Sequence, residues 1–424
     1  MRPGLPPDAR QEPAPWRAAR LLDAPHRLCF FAAGLNWAGA ALWWSASLFA
    51  TARGVAWPWQ VNAASAHGLW FSLGAMPLFI AGFMFTAGPK WLRRPPVVAR
   101  ELRLPVAAFT LGWVITVAGF HLVPVVAAAG LAVVALGWGG LTWRIVRLVA
   151  NSTQADRRHP RLIVLASSVI VACLGLSSLA LLVNHAELLH VVLRVALWGG
   201  VCMVFLVVSH RLLPFLGAQL WPWLDTRWPD WPLWVVVSVP LTQCVSATLA
   251  PWPVALAAWR PIAAAHLAVV AALCLWIVLR WTRERALRQP LVAMLFAAFV
   301  WWDVALWLGA AAGLPGLRTD AAAALELAAL HTLTMGFLGG TLLVMATRVS
   351  STHSGRPVAI DRVARGLFGL LQLALLLRLA AALAPSWSTQ ILPWAGLFWM
   401  LVAVVWAVRH GRWLGSARAD GRPG

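Results

Sequence analysis

Apolar runs of roughly 20 residues recur twelve times along this chain, each long enough to cross a bilayer as a helix. They fall at about 28–50, 64–87, 104–120, 123–146, 161–183, 187–209, 232–250, 254–280, 290–312, 322–347, 363–384 and 391–408. Inside hydrocarbon every backbone N–H and C=O must be satisfied within the protein, which leaves helices or closed barrels. The runs show no alternation of period two, which argues against a barrel. The chain therefore reads as all-α: a polytopic transmembrane helix bundle of about twelve spans over residues 28–409. Only 11% of its residues are charged, against about 25% in a soluble domain. The longest loops hold roughly 20 residues, so any chemistry is expected within the bundle or at its rims.

Charge orients the bundle. With the N-terminus placed in the cytoplasm, twenty-nine Lys and Arg fall on cytoplasmic segments. Three (Arg53, Arg260 and Arg318) fall on the other side, and two (Arg194 and Arg378) lie inside spans. This is the positive-inside pattern, and an even number of spans returns the basic C-terminus to the cytoplasm. The Pro-rich residues 1–27 carry no apolar run, so they read as a disordered cytoplasmic tail and not as a cleaved signal. Residues 410–424 form a second cytoplasmic tail. The net charge of +20 is spread over seven short loops, which suits anionic lipid headgroups and not nucleic acid.

Twenty-nine Trp and no Tyr are present. Trp57, Trp59, Trp91, Trp221, Trp223, Trp228 and Trp231 sit near span ends and read as an interfacial belt. The absence of Tyr excludes a tyrosine radical or proton relay. Cys29, Cys173, Cys202, Cys244 and Cys274 form no C-x-x-C pair and read as small packing residues.

Histidine inside an apolar span is costly and marks a candidate site. Spans 2, 8 and 10 all run inward from the outer face. His67, His266 and His331 fall in their outer thirds, at about 1.5 Å of rise per residue. Three imidazoles at one depth would suit a metal or haem between helices. The competing reading is interhelical hydrogen bonding, which weighs most at His266. Around His67 stand Phe71 and Gly74, and around His331 stand Met335, Gly336 and Gly339. These small residues leave room for a planar group or for close helix approach, and Gly336 with Gly340 makes a G-x-x-x-G.

Other candidates are more ambiguous. Glu187, His190 and Arg194 share one helical stripe, either as a self-satisfied ion pair or as a gateway for a proton or an anion. Asp303, in the middle of span 9, is expected to face inward and pair with Arg378 or a histidine, as a structural pair or a proton relay. Arg348, His353 and Arg356 mark the cytoplasmic exit of span 10, where Arg could clamp an anion or simply obey the charge rule.

Three stretches carry a resemblance. Residues 67–91 read HGLWFSLGAMPLFIAGFMFTAGPKW, with Gly82, Phe83, Thr86, Ala87, Pro89 and Trp91 in place. Residues 331–357 run from a His-Thr-Leu-Thr opening to a turn of His353, Ser354, Gly355, Arg356 and Pro357. His210-Arg211-Leu-Leu-Pro214-Phe215 is the third. Together these are similar to the signatures of the NnrS family over the whole twelve-span layout. The chain departs from the family in lacking a Glu after His67, in having Asp303 where span 9 often carries His, and in having His210 for Gly and Ser354 for Thr. The resemblance implies a haem- and copper-containing inner-membrane protein linked to nitric oxide metabolism and nitrosative stress. His67 and His331 are then the candidate cofactor and metal ligands, with His266 a weaker third.

Two function classes follow. A haem/copper protein predicts a visible chromophore that depends on His67 or His331. A transporter or channel for a small ion or metal predicts uptake with no bound haem, and twelve spans are common there. A structural partner for a respiratory complex is a third. No phosphate-binding Gly loop or nucleophile motif is present to support soluble-type catalysis.

Overall fold

Proline opens several of the helices, because its fixed φ suits the first turn and its missing N–H costs nothing there. Pro25, Pro124, Pro253 and Pro290 occupy such positions. Side chains cap others. The Asn62 carboxamide oxygen accepts the N–H of Ala64 and Ser65, and an Asp361 carboxylate oxygen accepts the N–H of Ala364. The computed structural model describes residues 15–217, 230–282, 285–356 and 360–421. Trp221, Trp223, Trp228, Pro357 and residues 1–14 of the leading segment lie outside them.

Long helical rods follow the apolar runs in order. They are α1 (Pro25–Ala52), α2 (Ala63–Trp91), α3 (Arg103–Leu122), α4 (Pro124–Ala150), α5 (Arg158–Leu182) and α6, which continues through Ala186–Val195, Ala196–Cys202 and Met203–Gly217. After these come α7 (Trp231–Thr248), α8 (Pro253–Trp281), α9 (Pro290–Ala312), α10 (Thr319–His353), α11 (Arg362–Leu383) and α12 (Ser388–Leu414). Among the described residues ten helices are long and apolar enough to cross a membrane, against the twelve spans expected, and α1 and α7 are not among the ten. The chain is an all-helical, multi-pass membrane protein, and no strand occurs among the described residues.

Consecutive helices pack as antiparallel neighbours, and α1 runs along α12, which closes the bundle. Water gives little drive to helix association inside lipid, so close approach must be built from small side chains. The α3–α4 pair shows this. A Cβ on Gly119 would lie 2.1 Å from the backbone N of Ala127, and one on Gly130 would lie 2.4 Å from that of Thr116. The core between rods is aromatic. Trp113, Trp138, Trp302 and Trp406 are almost fully buried, so tryptophan fills the interior as well as the rims.

The closure of α1 on α12 gathers both chain ends at one pole, the basic end. There Arg27 is buried and donates to the carbonyls of Leu414 (2.8 Å) and Ser416 (2.9 Å). Trp16 Nε1 donates to Gly411 O at 3.0 Å, and Ala419 N–H to Ser354 O at 2.8 Å. The segment before α1, the exit of α10 and the segment after α12 are thus laced together.

Candidate functional site

Three helices widen locally. Phe71–Ala75 in α2, Ala196–Cys202 in α6 and Thr332–Gly339 in α10 are π-helical. Such segments shift the hydrogen-bond register of a helix and recur at functional sites. Each follows a polar residue singled out from sequence. His67 stands one turn before the first, Arg194 stands just before the second, and His331 directly adjoins the third.

His67 and His331 each stand just before a π segment, and the two segments meet at Trp399 of α12, which lies 6.4 Å from Phe71 and 3.0 Å from a Cβ placed on Gly339. Each imidazole is held in its own way. His331 engages its own helix through Nδ1, 2.9 Å from the Leu327 carbonyl oxygen. That fixes the ring and leaves Nε2 as the nitrogen not engaged by the protein. His67 lies flat on Trp44, with centroids 4.2 Å apart and planes 23° apart, and its other side meets Phe71 at 4.3 Å. Its Nδ1 is buried with no hydrogen-bond partner. Trp399 of α12 stands beyond Phe71 at 6.4 Å. His67 and three aromatic faces from α1, α2 and α12 thus cluster on the side away from the basic end.

The glycines of α10 serve close approach. A Cβ on Gly336 would lie 2.7 Å from Trp301, and one on Gly340 would lie 3.1 Å from the Ala298 methyl. Toward the basic end from the π segments lies an apolar cleft of about 70 Å³. Phe30, Phe79, Met84, Phe205, Leu212 and Met345 are among its lining residues.

The other candidates lie elsewhere. His266 bridges α8 to α7, with Nε2 2.9 Å from Ser238 Oγ and Nδ1 3.1 Å from Thr242 Oγ1, so both its nitrogens are engaged. It does not join His67 and His331. Asp303 is buried, and its Oδ1 has no hydrogen-bond partner. The expected pair with Arg378 does not form. Glu187 and His190 are exposed and make no ion pair with Arg194 among the described residues, though His190 does feel the Arg194 charge.

Arg348, His353 and Arg356 lie at the basic end, far along α10 from His331. His353 meets His26 of α1, with ring centroids 4.4 Å apart. Arg356 and Arg409 each stand 4.7 Å from the Trp413 ring, and Arg348 is half-buried. His210 lies outside every site expected from the sequence, yet its Nδ1 is 3.0 Å from His159 Nε2 in a buried pair. Only its neighbour Arg211, 4.8 Å from the Trp91 ring, hints at the link between α6 and α2.

The helical layout and these clusters coincide with one family model, described as NnrS protein, which matches residues 20–418. The chain belongs to the NnrS family. Comparison with curated proteins gave no match. The stretches that resemble NnrS signatures thus occupy two levels. His67 and His331 lie toward the end away from the basic pole, whereas Trp91, Arg211, His353 and Arg356 lie at the rim of the basic end. Among the described residues no group of three or more His, Cys, Asp or Glu stands ready to hold a metal ion.

Proposed function

We propose that this chain is an integral inner-membrane protein of the NnrS type, with both termini in the cytoplasm. In this reading His67 and His331 hold haem iron or copper, in the service of nitric oxide metabolism or the response to nitrosative stress. One observation supports the reading: His67 of α2 has a buried ring nitrogen with no partner, and His331 of α10 is held through Nδ1 by the Leu327 carbonyl.

The residues present fit such a group. Metal-bound histidine usually gives its second nitrogen to a carbonyl or carboxylate, which fixes the tautomer. His331 is already held so by Leu327. His67 keeps a buried, partnerless nitrogen that costs free energy unless a ligand or proton donor satisfies it. Among the described residues no third His, Cys, Asp or Glu joins them, so His67 and His331 would hold haem iron more readily than a copper ion that needs three protein donors. Trp44, Phe71 and Trp399 supply apolar walls.

If held by these histidines, haem or copper would supply redox or ligand-binding chemistry whose course follows the polarity of the surroundings. The protein's own part is to orient the imidazoles and exclude water. Nitric oxide is small and apolar, so it partitions into the bilayer and needs no aqueous channel. The apolar cleft beside the π segments gives such a molecule room within the bundle.

Quantifying iron, copper and haem in the purified protein tests the proposal. The expected result is bound haem or copper with a visible chromophore. A colourless, metal-free protein that carries an ion across vesicle membranes would replace the proposal with transport.

A further inference from the structure

Trp413, in the last turn of α12, gathers two guanidiniums and one imidazole. The Arg356 and Arg409 guanidinium carbons each stand 4.7 Å from its ring centre, and the His410 ring stands 4.7 Å away, edge-on. The three groups are therefore at most twice that distance from one another. The helix period of α12 supplies two of them, because Arg409 and His410 precede Trp413 by four and three positions. Arg356 arrives from α10, which ends at His353. Gly355 then takes a φ of +70°, a conformation that glycine adopts without strain, and turns the chain back. The Gly355 N–H donates to Thr352 O at 3.2 Å and the Arg356 N–H to Ser351 O at 3.0 Å, which closes the helix end and aims Arg356 at the indole.

Only one of the two guanidiniums is neutralised. Asp361 binds Arg409 through both carboxylate oxygens while it caps α11. Asp420, beside Gly355, binds Arg418 in the same two-oxygen way. Among the described residues no carboxylate pairs with Arg356, and its buried Nη1 has no hydrogen-bond partner. His410 is 1% exposed, stacks on Trp406 with ring centroids 4.4 Å apart, and gives its Nδ1–H to the Trp406 carbonyl at 2.9 Å. In the neutral ring Nε2 is then a bare acceptor, and it too is buried without a partner. One indole thus holds a donor short of an acceptor and an acceptor short of a donor. Buried polar atoms of this kind cost free energy until something satisfies them.

We propose that Arg356, His410 and Trp413 form a binding site for a phosphate group at the basic end. The planar guanidinium fork takes two phosphate oxygens side by side, and the phosphate supplies the counter-charge that no carboxylate gives Arg356. The bare His410 nitrogen accepts from a hydroxyl of the same ligand, on the phosphate or on its ester. Trp413 holds the guanidinium by a cation–π contact. The site sits at the ends of α10 and α12, where spanning helices meet lipid headgroups, so phosphate is the anion within reach. It has two possible sources: the headgroup of an anionic phospholipid, or a free phosphate ion. Neither source needs a cofactor at His67 or His331, so the site stands apart from the haem or copper reading.

The test compares full-length wild type, Arg356→Gln, Arg356→Lys and Arg412→Gln, the last of which removes an exposed cation from the same helix end. Each protein is equilibrated in mixed micelles of equal phosphatidylglycerol and phosphatidylcholine, washed, and its retained lipid measured by mass spectrometry. Calorimetric titration with sodium phosphate follows, with sodium chloride as the control anion. If the source is a headgroup, wild type retains phosphatidylglycerol over phosphatidylcholine, Arg356→Gln retains several-fold less, and phosphate does not bind the lipid-loaded wild type. If the source is a free ion, wild type binds phosphate but not chloride, and Arg356→Gln weakens phosphate about tenfold or more. In either case Arg356→Lys is expected to recover most of the loss, and Arg412→Gln to change neither readout. A wild type that holds neither ligand overturns the proposal, as do unchanged readouts in Arg356→Gln. An equal loss in Arg412→Gln also overturns it, because diffuse charge then accounts for binding. So does a loss accompanied by a lowered thermal midpoint that Arg356→Lys does not reverse, because the guanidinium is then a structural prop.

Discussion

His67 lies flat against Trp44, with ring centroids 4.2 Å apart and the planes 23° from parallel. An indole from α1 thereby fixes the tilt of an imidazole from α2. Stacking of this kind is worth about 0.5–1.5 kcal/mol beyond the area it buries. Trp44→Ala should therefore loosen the ring, lower cofactor retention and broaden the absorption band, while Trp44→Phe should keep most of both. Spectra of the two variants at equal protein concentration check this. Full retention in Trp44→Ala would show that the stack does not position His67.

His266 and His331 should respond in opposite ways. His266 spends both nitrogens on Ser238 and Thr242. Its replacement by Ala should leave metal and haem content unchanged and lower stability by about 1–2 kcal/mol, the scale of lost buried hydrogen bonds. His331→Ala should strip the cofactor. Metal analysis of both variants decides, and cofactor loss on changing His266 would bring α8 into the site.

Asp303 is buried with an oxygen that finds no partner. A buried carboxyl without a cation gains little from the fold, and a neutral amide or an apolar group is often better tolerated. Asp303→Asn is expected to raise the thermal midpoint in detergent without changing cofactor content. A stability loss of more than about 1 kcal/mol would point instead to an essential hydrogen bond.

Gly336 admits Trp301 and Leu375 against α10. A side chain there forces rigid neighbours apart, so Gly336→Val should cost about 1–3 kcal/mol. Gly366 of α11 faces open space, and the same change there should be nearly silent. Thermal unfolding of the pair measures the difference.

The Arg158 guanidinium beside Asp156 holds that carboxyl down at about 2, against an ordinary 3.8. A depressed carboxyl stabilises the fold fully above its unfolded value, and the contribution fades as pH falls through the folded value. Wild type should therefore lose stability between about pH 4 and pH 2 more steeply than Asp156→Asn. The pair is half-exposed, so the difference should be small and should shrink with added salt. Thermal midpoints across that range, at two salt concentrations, are the measurement.

The spans were legible from the sequence because hydrophobic length is a one-dimensional quantity. The described helices follow the order of the apolar runs, and the largest departures are at C-terminal ends, where α6 runs to Gly217, α10 to His353 and α12 to Leu414. The positions of His67 and His331 in the first halves of their helices were legible for the same reason, since rise per residue converts sequence position to distance along a rod. What lies beside what was not legible. The same reckoning groups His266 with them, but the Ser238 and Thr242 hydroxyls claim it on another wall of the bundle. Arg378 seemed a partner for Asp303, yet among the described residues no ion pair forms between them and Asp303 Oδ1 is left without a partner. The π segments left no mark on the apolar pattern. Tryptophan misled in part: Trp113, Trp138, Trp302 and Trp406 fill the core, where an interfacial belt alone was expected.

One measurement tests the central claim, that His67 and His331 serve one site, most directly. The absorption spectrum and metal content of purified wild type, His67→Ala, His331→Ala and the double variant should be compared. One shared site predicts that either single change abolishes or shifts the same band, and that the double change adds little. If either single variant keeps the wild-type spectrum and metal content, the two histidines do not share a ligand and the account fails.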